Sequence, residues 1–329
     1  LGQWNIASSQ WIPFYVLYLF KMGQSPHRWR YPLLAALFLL LQAYAELTYA
    51  SFLILFTALW VICQLLTDFR LGKAGKPAVR SGFGKSWRWW GNLVLVGCIV
   101  VIGISPVLAM MVPDMLTEGD LSVEGGGFSD VFSADLLGFL VPTMHHPIFG
   151  SLVERFNFDY SVGQHLYLGY SVLALAVVGL IHDWRRFRSR RGSPPGEPRA
   201  ASPPARPKPG NGIGFWIVSA LVFWLLSLGP ALRVNGHDTG LPLPFTLVAQ
   251  LPFFEGNRYP SRYSVLLFLS LAMLVAFGLS ALLQKRGKAP WHLAPLLLVV
   301  LMLFEHLSIP LPLSDMRVPP VYQAIADEM

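Results

Sequence analysis

The chain has 329 residues, of which 54% are hydrophobic and 13% charged, with a mean hydropathy of +0.50. Soluble domains carry about 25% charged residues, so these figures exclude a soluble globular protein and describe a polytopic membrane protein. The net charge of +7 would suit nucleic acid, but 20 of the 25 Lys and Arg lie in four segments between apolar runs. That is the positive-inside pattern of cytoplasmic loops, and it excludes nucleic acid as partner. Cys63 and Cys98 both lie inside apolar spans, so neither a disulfide nor thiol chemistry is expected.

In chain order, apolar runs long enough to cross a hydrocarbon layer of about 30 Å can be placed with loop charge as a check. Ile6–Phe20 ends at Lys21, Arg28 and Arg30. Tyr31–Leu66 is flanked on both sides by basic segments, the second holding Arg70, Lys73, Lys76, Arg80, Lys85 and Arg88. It must therefore go out and come back, with its turn near Glu46–Tyr49. A span at Trp90–Val112 leads outward to residues 113–163, which hold eight acidic residues and one basic, Arg155.

Leu166–Ile181 returns to a basic, Pro-rich stretch, residues 183–211, expected to be a disordered cytoplasmic linker. Ile213–Leu228 goes out, and residues 229–262 form the second outer loop. Ser264–Leu283 comes in to Lys285, Arg286 and Lys288, and Pro290–Leu307 exits. The expectation is an all-α polytopic transmembrane helix bundle of about eight membrane crossings, with outer loops between helices and the N-terminus outside. Residues 1–308 form its membrane domain, and 309–329 begin an outer C-terminal segment. Leu1 is no initiator and no signal peptide precedes it, so the chain reads as an internal piece of a longer protein.

The stretch 251–263, Leu-Pro-Phe-Phe-Glu-Gly-Asn-Arg-Tyr-Pro-Ser-Arg-Tyr, sets Arg258 and Arg262 at the mouth of the span Ser264–Leu283. Pro260 suits a first helical turn, where its missing N–H costs nothing. Arg262 then stands at the positive end of a helix dipole, a place that an anion would offset. A phosphate held by exposed N–H groups and two guanidinium forks would do so. Alternatively, both arginines and Tyr259 and Tyr263 reach to lipid headgroups.

Other motifs are weaker. Gly84-Lys85-Ser86 lacks the glycine five positions earlier that a phosphate loop needs, where Val79 stands. Adjacent His145 and His146 do not share a helix face as a zinc pair would, so no metal is expected. They form either a structural turn or an outer loop offering imidazole to a polar substrate. Glu46 is an acid at membrane depth or at an exposed turn. Among the acids of the first outer loop, Asp135 is the preferred general base. Glu305-His306 reads as interfacial, and Gln3, Asn5, Ser8, Ser9 and Gln10 offer hydrogen bonds to a sugar or simply enter the membrane with Trp4 and Trp11.

Together, the outer Gly2-Gln-Trp-Asn…Gln10-Trp11-Ile-Pro13, the run Leu137-Gly-Phe-Leu-Val-Pro142…His146-Pro147…Gly150, Tyr167-Leu-Gly-Tyr170 and Arg258-Tyr-Pro-Ser-Arg262 carry a resemblance. They resemble bacterial multi-spanning proteins of the GT-C glycosyltransferase superfamily, in the branch near the YfhO-like and lipid-phospho-sugar-dependent transferases. The resemblance implies a cytoplasmic-membrane enzyme that moves a sugar from a polyprenyl-phosphate carrier to an envelope acceptor at the outer face. It implies lipid-linked sugar and membrane lipid as partners and no cofactor. Arg258 and Arg262 would bind the lipid-linked phosphate, and His145 and His146 would line the same cavity. The catalytic acid of such enzymes, in the first outer loop, would lie upstream of Leu1, so no catalytic residue is assigned. The alternative is a non-enzymatic transporter, flippase or assembly factor for lipid-linked envelope intermediates.

Overall fold

A computed structural model describes residues 7–73, 87–118, 128–155, 164–191, 212–251, 254, 257–284 and 293–309. Most of these lie in helices that coincide with the apolar runs: α1 Ile12–Gln24, α2 Arg30–Ala45, α3 Leu47–Lys73 and α4 Trp87–Glu118, then α5 Tyr170–Arg191, α6 Ile213–Ser227, α7 Ser264–Gln284 and α8 Leu293–Glu305. The apolar run at 31–66 breaks where the charge pattern requires, at Glu46. That residue alone separates α2 from α3 and takes an extended backbone, φ −158 and ψ 106.

Aromatic rings fill the middle of the bundle. Phe20 of α1 stands 5.4 Å from both Trp60 of α3 and Trp216 of α6, and Phe56 stands 5.5 Å from Phe215. Tilted and edge-on pairs of this kind stabilise beyond their burial. Outward faces stay apolar: Ile102 on α4 is 72% exposed and Leu303 on α8 is 68% exposed. Such surfaces suit a lipid environment, where exposing large aliphatic side chains carries no hydration cost. Among the described residues, three helical stretches are long and apolar enough to cross a membrane: Leu47–Phe69, Trp87–Met110 and Pro260–Leu283. Arg30–Ala45, Ile213–Ser227 and Pro295–Glu305 are apolar but shorter.

Close backbone approach joins α5 to α7. A Cβ on Gly179 would lie 2.8 Å from the Gly278 nitrogen, and a Cβ on Gly278 would overlap the Leu175 carbonyl oxygen. Small residues at such crossings let helices meet without a hydrophobic driving force. The Ser219 and Ser270 hydroxyls bond across α6 and α7 at 2.8 Å, with Ser270 also donating to its own helix at Leu266 O.

The all-α expectation needs one correction. Among the described residues, the loop 229–262 contains an antiparallel hairpin, β1 Ala231–Val234 and β2 His237–Pro242, with Arg233 opposite Asp238 and a bulge between Ala231 and Arg233. Asn235 (φ 51) and Gly236 (φ 79) form its turn, the left-handed pair that matches strand twist. The acidic loop between α4 and α5 is knitted to this hairpin and to itself. Leu136 N–H donates to Arg233 O at 2.9 Å, Asp135 N–H to Gln164 O at 2.9 Å, and Leu168 N–H to Phe139 O at 3.0 Å.

Helix ends differ from the composition-based boundaries. α4 runs through Pro113 to Glu118, and α5 starts at Tyr170 and continues to Arg191. Arg185, Arg186 and Arg188 therefore sit on a helix rather than in the expected linker, because arginine propagates a helix well once it is started. Residues 192–211 of that linker, Gly84-Lys85-Ser86, Gln3, Trp4 and Asn5, and residues 310–329 lie outside the described residues.

Candidate functional site

The site is built on the start of α7. Pro260 opens a 3-10 turn, Pro260–Tyr263, that feeds directly into the helix. Tyr263 is fully buried and stacks on Phe52 of α3, ring centroids 3.8 Å apart. Asn257 donates through Nδ2 to the Tyr263 hydroxyl at 3.1 Å and accepts the Tyr259 N–H through Oδ1 at 3.3 Å. Ser261 N–H donates to Phe132 O at 3.1 Å, and the Phe132 ring lies 4.3 Å from that of Tyr259. Aromatic anchors and an amide thus fix the backbone of the motif from which the Arg262 side chain extends.

That side chain reaches toward Glu46. The Arg262 guanidinium carbon lies 3.9 Å from the centre of the Tyr259 ring, and Nη1 is 4.0 Å from Glu46 Oε1. The side chains are 16% and 9% exposed, so both charges are largely withdrawn from water. Tyr49, at the start of α3, is buried within electrostatic reach of both. Arg258 precedes Tyr259, is half-buried, and is engaged in an interaction of its own. Gln42, one turn before Glu46 on α2, is fully buried and donates through Nε2 to Ser8 O at 2.8 Å, while its Oε1 accepts no hydrogen bond among the described residues. The resulting cluster joins the α2–α3 break to the mouth of α7.

His146 belongs elsewhere. Its ring is 2% exposed, Nε2 donates to Phe304 O at 3.0 Å, and Nδ1 accepts the N–H groups of Ile148 and Phe149, both at 3.1 Å. Both nitrogens are engaged, Nε2 tying the acidic loop to α8 and Nδ1 closing the loop's own turn, which suits the structural-turn reading rather than an imidazole offered to a substrate. His145 is half-buried, and its carbonyl accepts the Ile309 N–H at 2.9 Å. Among the described contacts, none joins His145 or His146 to Arg262. Beside them, Glu305 caps α5: its carboxylate accepts the Ser171 hydroxyl at 2.6 Å and the Ser171 N–H at 3.0 and 3.1 Å. Its role is to satisfy and charge-match a helix start.

Asp135 is also structural. It is fully buried and accepts the N–H groups of Leu137 at 2.8 Å, Asn235 at 3.1 Å and Gly236 at 2.8 Å. Fully buried and committed to three backbone donors, the Asp135 carboxylate is out of a substrate's reach and does not fit the part of general base. His165 donates through Nε2 to Val141 O, and burial pushes its pKa below the ordinary histidine value, keeping it neutral. Among the described residues, no group of three or more His, Cys, Asp and Glu is placed to hold a metal ion.

No family model, no curated protein and no solved structure matches the chain. The chemistry of the site therefore rests on its geometry. Among the described residues, that geometry sets a guanidinium, a group with five N–H donors, over a ring and near a carboxylate. It is suited to binding an anionic head and to reading its charge. Arg262 and Glu46 each stand out in the sequence, but their pairing does not, because 216 positions separate them and nothing local links them.

Proposed function

We propose that the chain is part of a membrane glycosyltransferase that moves a sugar from a polyprenyl-phosphate carrier to an envelope acceptor at the outer face of the cytoplasmic membrane. The observation that carries this reading is the direction of Arg262, aimed from an aromatic-anchored turn at the mouth of a membrane-length helix. The loop charges support eight crossings, with that mouth and the N-terminus of the chain both outside. In the transfer, the bond between the sugar's anomeric carbon and the phosphate oxygen breaks, and the phosphate leaves with the electron pair. The acceptor hydroxyl oxygen bonds to the anomeric carbon, and its proton passes to a base. Arg262, aided by Arg258, stabilises the negative charge that develops on the departing phosphate. A pre-oriented guanidinium needs no reorganisation at that moment.

The test is sugar transfer in membranes carrying the intact protein, with radiolabelled polyprenyl-phospho-sugar as donor. Arg262→Ala is expected to lower transfer about 100-fold, the range for losing a preorganised charge-stabilising donor, while membrane insertion stays normal. Arg262→Lys keeps the charge but not the planar fork, and should fall between. Transfer at the wild-type rate in Arg262→Ala would exclude the phosphate role.

A further inference from the structure

The cluster that receives the proposed phosphate already contains an anion. Glu46 is held on the extended residue between α2 and α3, and its Oε1 lies 4.0 Å from Arg262 Nη1. That separation exceeds the 2.7–2.9 Å or so of a charge-assisted N–H···O bond. The guanidinium is thus neutralised without being locked. It also rests over the Tyr259 ring, 3.9 Å from its centre, a contact that orients it independently of Glu46. Arg262 does not need Glu46 to be positioned; it has a partner that adds charge but no tight bond.

We propose that Glu46 is the resident counterion of Arg262, holding the place that a lipid-linked phosphate takes and opposing the retention of that phosphate after transfer. This inference rests on the proposed phosphate site and concerns its occupancy. The donor is a phosphodiester with one negative charge. The product is a phosphate monoester with about 1.5 to 2 negative charges at neutral pH. With a carboxylate in the same largely buried cluster, the more highly charged product is repelled more strongly than the donor. A lone arginine would favour the product and stall on it. Glu46 is thereby a positioning residue for release, not a group that touches the reacting carbon.

The intact protein in nanodiscs of zwitterionic lipid, titrated with undecaprenyl phosphate and followed by native mass spectrometry, tests this directly. Glu46→Gln is expected to bind the lipid phosphate about five- to tenfold more tightly, the order expected for removing one partly buried like charge. Arg262→Ala should lose binding, and the double variant should match Arg262→Ala. Glu46→Asp keeps the charge and should bind as the wild type does, which separates charge from folding. Unchanged or weaker binding by Glu46→Gln overturns the counterion role and leaves the phosphate site standing. Equal binding of undecaprenyl phosphate and uncharged undecaprenol by the wild type overturns both. Inorganic phosphate in large excess should not displace the lipid, and displacement would overturn the assignment to a lipid headgroup.

Discussion

Two largely buried acidic side chains do opposite work here. Asp135 is enclosed by three backbone N–H donors from two separate segments, whereas Glu46 faces a cation at 4.0 Å. The first is a staple and the second a partner. Removing the staple leaves three donors without an acceptor in a place closed to water, so Asp135→Ala should destabilise the loop layer by about 3 kcal/mol or more, with charged hydrogen bonds worth about 1.5–3 kcal/mol each. Thermal unfolding of the detergent-solubilised protein reads this; a variant that melts with the wild type would show that the carboxylate is not structural. Nothing in the sequence assigns these two acids their partners. Asp135 lies in a loop with seven other acids, and its partners at Asn235 and Gly236 are about a hundred residues away.

Among the elements, the break at Glu46 is legible in the sequence because basic segments on both flanks lead one to expect residues 31–66 to double back. The hairpin carries a signal too, since Asn235-Gly236 is the strongest short-range hairpin cue. An all-α expectation leaves that cue unused, because the dipeptide sits in a loop of an otherwise apolar, helix-forming chain. The continuation of α5 to Arg191 is not legible, since a run of arginines reads equally as helix or as basic linker. The crossing of α5 and α7 depends on two glycines that no local pattern singles out. Gly278→Leu would drive a side chain into the Leu175 carbonyl, forcing the helices apart. Disulfide cross-linking between cysteines introduced at neighbouring positions of α5 and α7 should drop to background in that variant. Cross-linking at the wild-type level would mean that the crossing tolerates bulk and is not set by close backbone approach.

As a whole, the molecule is a mostly helical chain with three helices of membrane-spanning length and apolar outward faces. Around that frame, the loop between α4 and α5 and the loop between α6 and α7 are bonded into one layer. The layer presents Arg262 beside Glu46 at one place and holds His146 near Glu305 at another. Arg262 belongs to a charged cluster and His146 to a structural joint, with no described contact between the two. For His146 the reason lies in its partners: both ring nitrogens are already paired to backbone groups.

If the mouth of α7 grips a lipid's phosphate head, a diazirine-bearing polyprenyl phosphate should photolabel the intact protein there, with labelled peptides mapped by mass spectrometry. Label concentrated on residues 257–263 and on the segment around Glu46 and Tyr49, competed by undecaprenyl phosphate and not by undecaprenol, is the expected result. Label spread along the lipid-facing sides of α4 and α8, or competed equally by the uncharged prenol, would refute the phosphate grip.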